Sequence, residues 1–265
     1  MLVVAERLNC TRKRVREAVE ARNAEFVRCE ARRQAEAGGD YVDVNSATSV
    51  ESELADMRWM IEQVRAATDK PLSIDTASPT VMRAGLSMHG PGQPMLNSLT
   101  AERERLETMM PLAAEFQTKV VALAMDDSGM PETVEGRLPA IEKLLAAADK
   151  HGVKRENVYV DPLVRPVSIN PCYAVQCLAA IRRIKVEFGP VQTIGGLSNV
   201  SFGLPKRGHL NRVFVALAME AGIDAGLIDP LEPGMMATIR AAEAVLARDE
   251  FCLAYITADR QGRLQ

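Results

Sequence analysis

Acidic and amide side chains recur in this chain at one kind of position, the end of a short apolar run. Glu6 and Asn9 follow Leu2–Ala5, Asn45 ends Tyr41–Asn45, Asp75 ends Pro71–Asp75 and Asn97 ends Pro94–Asn97. Asp126 follows Val120–Met125, Asp161 ends Val158–Asp161, Ser198 and Asn199 follow Gln192–Ile194, and Asp229 ends Ile223–Asp229. Capping of the next helix is the ordinary use of such residues, but separate caps are supplied. Thr48-Ser49-Val50-Glu51 reads as a capping box after Asn45, and Ser78-Pro79 as an N-cap with proline at the first helical position after Asp75. Thr100, with Glu102 in the first turn, serves after Asn97, and Asn170-Pro171 serves well beyond Asp161. Asp75, Asn97 and Asp161 are therefore free for ligand work, whereas turns inside the loops compete for Asn45, Asp126 and Asp229.

Two carboxylates and an amide converging on one mouth would repel a phosphate. Paired carboxylates also serve glycoside hydrolysis, but platforms for sugar stacking are scarce. Aromatic residues make up 4% of the chain, and its one tryptophan, Trp59, lies on a helix stripe. A planar heterocycle with a donor-rich edge, such as the amino group and ring N–H of a pterin, fits better. Carboxylate and amide oxygens accept those hydrogens in the ring plane, and charge strengthens each bond. Mutual repulsion is expected to raise the pKa of one carboxylate in the empty site.

Parallel βα units would bring these positions together. The eight apolar runs alternate with segments of helical period, such as Val50, Leu54, Met57, Ile61 and Val64, or Leu138, Ile141, Leu145 and Ala148. The spaced-glycine turn of an open dinucleotide-binding sheet is missing, since the first turn reads Glu6-Arg7-Leu8-Asn9. No linker composition divides the 265 residues, and the length suits one closed (β/α)8 barrel, whose chemistry sits at the carboxyl ends of its strands. Met235–Leu246 reads as its last helix.

Lysine and arginine total 32 against 35 acids, a formal charge of −3, which argues against a nucleic-acid or anionic-membrane surface. The five cysteines are scattered and the three histidines lie far apart, so no metal site is expected. Thirteen methionines read as irregular core filler. No run approaches a membrane span and no leader pattern opens the chain, so the expected location is cytoplasmic.

The most distinctive stretch is Ile194-Gly195-Gly196-Leu197-Ser198-Asn199-Val200-Ser201-Phe202-Gly203-Leu204-Pro205-Lys206-Arg207. Its glycine pair lets backbone approach a flat ligand, and a Ser-Asn pair follows on a loop. Together with Ala5-Glu6-Arg7-Leu8-Asn9, Asp43-Val44-Asn45, Ser73-Ile74-Asp75-Thr76, Leu96-Asn97-Ser98 and Tyr159-Val160-Asp161-Pro162-Leu163, it covers essentially the whole chain. In these segments the sequence resembles the pterin-binding methyltransferases with a dihydropteroate-synthase-like barrel. These are the methyltetrahydrofolate:corrinoid-protein methyltransferases and the folate domain of cobalamin-dependent methionine synthase.

The resemblance implies one pterin-binding TIM barrel over residues 1–265. Asp75, Asn97 and Asp161 would hold the pterin edge, Glu6 would support the site, and Gly196 and Ser198 would line it. Asn199, on a mobile loop, would hydrogen-bond the pterin N5 as the catalytic residue, and Arg207 would sit at the mouth near the folate tail or the corrinoid. The implied reaction moves a methyl group between tetrahydrofolate or 5-methyltetrahydrofolate and cobalamin on a partner corrinoid protein. The expected direction is from methylcorrinoid to tetrahydrofolate, in a stand-alone homodimeric component. Dihydropteroate synthase is the rival within the fold. It usually carries lysine and arginine in the seventh loop, where this chain reads Leu197-Ser198-Asn199, and a phosphate motif after the eighth strand, where it reads Ile228-Asp229-Pro230-Leu231. A non-catalytic pterin-binding barrel is the rival from another class. Phe202 departs from members that place glutamine near the pterin.

Overall fold

A computed structural model describes residues 1–264. Eight parallel strands close into a barrel in sequence order: β1 (Leu2–Asn9), β2 (Tyr41–Asn45), β3 (Leu72–Asp75), β4 (Met95–Thr100), β5 (Lys119–Leu123), β6 (Val158–Asp161), β7 (Gln192–Gly196) and β8 (Ala225–Ile228). Between β1 and β2 run α1 (Lys13–Glu20) and α2 (Ala24–Glu36); single helices α3 (Glu53–Arg65), α4 (Pro79–Ser87), α5 (Arg103–Glu115), α6 (Val134–His151), α7 (Tyr173–Glu187) and α8 (Arg207–Ala221) fill the later crossovers. α9 (Met235–Val245) and α10 (Leu253–Arg260) follow β8.

The two-residue side-chain period of a strand separates the two faces of this sheet. Val42, Val44, Leu72, Ile74, Val120, Ala122, Val158 and Val160 point outward into a core shared with Met57, Ile61, Met82, Met109 and Ile141 of the surrounding helices. Each such valine, leucine, isoleucine or methionine, fully withdrawn from water, contributes about 1.5–3 kcal/mol. The inward set plugs the lower barrel with Val4, Tyr41, Met95, Val121, Tyr159, Ile194 and Ala225. At the amino end Lys119 lies over the Tyr41 and Tyr159 rings, 5.0 and 5.6 Å from their centres. The apolar plug leaves the carboxyl end as the polar opening.

Several local expectations change. β1 continues to Asn9 because a register shift between Ala5 and Leu8 lets it keep pairing with β2. The Thr48–Glu51 capping box does not form: α3 starts at Glu53, Val50 is exposed, and the Thr48 hydroxyl donates to the Asp56 carboxylate. Ser78 caps α4 as expected, accepting from Val81 N. Thr100 and Asn170 instead close turns two residues on, accepting from Glu102 N and Cys172 N.

Candidate active site

Parallel register sets three rim residues side by side. Asn45 pairs with Asp75 across β2 and β3, and Asp75 pairs with Asn97 across β3 and β4. All three lie on the inward face at the carboxyl end, neighbouring strands being about 4.8 Å apart. The Asn45 amide nitrogen donates to Asp75 Oδ2 at 3.0 Å, and the Asn97 amide nitrogen donates to Asp43 Oδ1 at 3.0 Å. With its nitrogen engaged below, Asn97 keeps its amide oxygen for another donor.

Asp43 escapes a reading confined to strand ends. It lies one residue pair below Asn45, nearly inaccessible to solvent. The alternation Tyr41-Val42-Asp43-Val44-Asn45 is the signal that finds it, because period two places it on the same face as Asn45. Burial, then the neighbouring Asp75 charge, holds its carboxyl well above the usual range.

Asp161 ends β6 on the opposite side of the mouth, buried, and its Oδ1 accepts from Leu163 N at 2.7 Å. The Gly196 N–H also faces this carboxylate. Burial raises Asp161 to about 6, and burial likewise raises Asp75 to about 6. Desolvation thus outweighs the mutual repulsion expected from the sequence: repulsion from Asp75 comes second at Asp43, and burial is what raises Asp161.

Glu6 accepts from Ser198 Oγ at 3.0 Å, which ties β1 to the turn after β7. Burial raises its pKa, opposed by the Ser198 bond and the Arg12 and Arg207 charges. Residues Leu197–Ser201 form a short 3₁₀ turn pinned from several sides. Arg207 Nη2 donates to Ser198 O at 2.7 Å and Arg207 Nε to Ser201 Oγ at 2.9 Å, while Ser201 Oγ donates to Asn211 Oδ1 at 2.6 Å. Arg207 accordingly braces the turn, with its guanidinium 4.4 Å over the Phe202 ring. Phe202 itself is exposed beside it.

Gly196 ends β7 with its α-hydrogen on the inward face. A Cβ there would come within 2.9 Å of the Asn199 amide nitrogen. The glycine therefore lets the Asn199 side chain lie across the mouth from the Asp75 and Asn97 row. Three expected rim residues are claimed elsewhere. Asp126 accepts from Ser128 N and Lys143 Nζ, Asp229 accepts from Leu231 N and from Arg7 and Arg12, and Asn45 accepts from Ala47 N while clamping Asp75.

The site thus sets the Asp75 and Asn97 oxygens against Asp161 and a side-chain amide across one mouth, a constellation for a flat, hydrogen-donating ring. This closed barrel and acidic mouth define a class of heterocycle-binding barrel enzymes. The sequence profile described as pterin binding enzyme matches residues 5–229, and the chain belongs to that family. It is 33% identical over 267 residues to a methylcorrinoid:tetrahydrofolate methyltransferase of Eubacterium limosum, covering 100% of this chain and 98% of that protein. It is 30% identical over 241 residues to a methionine synthase of Mycobacterium leprae, covering 86% of this chain and only 20% of the larger protein. Among solved structures, a dihydropteroate synthase of Xanthomonas albilineans with 4-aminobenzoic acid superposes with a TM-score of 0.70 at 25% identity, over 94% of this chain and 93% of that one.

Proposed function

We propose that this chain, acting as one barrel over residues 1–265, transfers a methyl group from a methylated corrinoid on a separate protein to N5 of tetrahydrofolate. The observation that carries the reading is the Asp75 and Asn97 row on one side of the mouth, with Asp161 and the Asn199 amide on the other. The end-to-end likeness to a methylcorrinoid:tetrahydrofolate methyltransferase supports the reaction and its direction. In this reading Asp75 and Asp161 accept the pterin amino and ring N–H hydrogens, and the Asn97 oxygen accepts a third. Glu6, Ser198 and Gly196 hold the turn that carries Asn199.

The N5 lone pair forms the new N–CH3 bond while the methyl–cobalt bond breaks and its electron pair stays with the metal. N5 passes through a positively charged ammonium and then loses its proton to water. An Asn199 amide oxygen accepting the N5–H bond stabilises that charge more in the transition state than in the ground state. In the reverse direction the same contact favours the protonated amine as leaving group. The corrinoid supplies the methyl-carrying metal when the partner docks over the open face; the barrel supplies orientation and polarity.

Exposed apolar residues Leu210, Val213 and Leu217 share one face of α8, and they support a homodimer. Five cysteines without a disulfide fit a reducing compartment, the cytoplasm. Among the described residues no helix is long and apolar enough to cross a membrane.

The test supplies isotope-labelled methylcorrinoid protein and tetrahydrofolate to the chain and its variants. Label should appear in 5-methyltetrahydrofolate. Asn199→Ala should lower turnover about 100-fold with binding within a few-fold, whereas Asp161→Ala should mainly weaken binding. Tight folate binding without transfer by the wild type would instead favour a non-catalytic barrel.

A further inference from the structure

Arg137, on the first turns of α6, is the largest fully buried side chain of the protein. Burying a guanidinium is costly unless its charge and hydrogens are matched. Among the described residues its hydrogen-bond partners are two main-chain carbonyls: Nε donates to Pro162 O at 2.6 Å and Nη1 to Thr133 O at 2.5 Å. No carboxylate touches it. The first carbonyl belongs to the residue that follows Asp161, so the guanidinium sits directly behind the Asp161-Pro162-Leu163 turn.

That turn is strained and shaped for the site. Leu163 adopts a left-handed conformation (φ 68°), which costs a non-glycine residue about 1–2 kcal/mol. The main-chain N–H of the same residue donates to Asp161, so the strain aims the carboxylate. From behind, Arg137 holds the carbonyl one residue earlier. The charged and titratable groups around this carboxylate are few. Arg137 pulls it toward the ionised form, and Cys177 of α7 lies close enough to both that Asp161 raises its thiol and Arg137 lowers it. Burial dominates there and holds Cys177 at about 12, a neutral thiol. Arg165 faces Arg137 and opposes its charge. Asp161 is the carboxylate that acts on the guanidinium among the described residues, and its attraction only partly offsets burial and Arg165.

We propose that Arg137 is a positioning residue for ligand recognition, fixing the Asp161-Pro162-Leu163 turn and serving as the buried counter-charge that keeps Asp161 an acceptor. This rests on the pterin-binding reading above. Arg137 touches no substrate and acts through Asp161. It gives the protein a reason to bury a cation that two carbonyls alone do not neutralise.

Two arms test it on the full-length chain. In the first, calorimetry follows tetrahydrofolate affinity from about pH 5 to about pH 8. Arg137→Gln should move the pH midpoint of binding up by about one unit and raise KM more than it lowers kcat, while Arg137→Lys, which keeps the charge, should restore the wild-type midpoint. Coincident profiles for wild type and Arg137→Gln would overturn the proposal. In the second arm, Asp161→Asn should raise the melting temperature at neutral pH by less than Asp75→Asn does, because stranding the Arg137 charge offsets part of the gain from removing a buried carboxylate. An equal or larger rise would overturn the pairing, and this arm stands even where Arg137→Gln does not fold. A wild type that binds no tetrahydrofolate at any pH would defeat the functional reading, leaving the melting comparison to judge the pair alone.

Discussion

At Asp75 burial raises the carboxyl to about 6, with the Asn45 amide opposing the rise and the Glu53 carboxylate adding to it. No buried cation stands behind it as Arg137 stands behind Asp161. Because its folded pKa lies above the unfolded value of 3.8, the unliganded protein loses stability as pH climbs from about 4 through about 6 and stays penalised above. A shift of this size corresponds to about 3 kcal/mol at most, at 1.36 kcal/mol per unit. Asp75→Asn removes the penalty and leaves an oxygen to accept from Asn45. Its melting temperature should exceed that of the wild type at about pH 7 and match it near pH 4, while tetrahydrofolate affinity falls; thermal melts at both pH values check this. The Asp75 carboxylate thus destabilises the empty barrel and is compensated when a donor-bearing ring arrives.

At the scale of elements, the strand ends were legible because polar residues interrupt apolar runs there and a separate Ser78 cap was visible for α4. Asp43 was not, since the strand-end rule ignores the pair below the rim. Nor was the fate of Asp126 and Asp229, whose partners Lys143 and Arg7 come from distant parts of the chain. The β1 extension was hidden for a similar reason: Glu6 and Arg7 occupy a register shift that only pairing with β2 reveals. The β7 turn makes the sharpest element-level prediction. Gly196→Ala would drive a methyl against the Asn199 amide, which stands 2.9 Å from where that carbon must go. The variant should fold with a near-native circular dichroism spectrum and lose methyl transfer at least about 10-fold, through Asn199 displacement. Unchanged kcat would mean that the amide does not need its place over Gly196.

For the whole molecule, eightfold alternation and the absence of a spaced-glycine turn were enough to anticipate closure, because a right-handed βα repeat of this length has few other ways to bury both faces of its sheet. The outer surface was less readable. Leu210, Val213 and Leu217 recur at helical spacing, yet they are exposed on α8. Sedimentation should find twice the monomer mass, and Leu217→Glu should return it to the monomer; a monomeric wild type would assign that face to another role. The central claim concerns the mouth, where two carboxyls near 6 must be ionised to receive ring N–H groups. Calorimetric titration of the wild type with tetrahydrofolate tests it most directly. Affinity should rise roughly 10-fold per ionising carboxyl for each pH unit below about 6, with proton release, and level off above about 7. Affinity that is flat or falls over that range would contradict it.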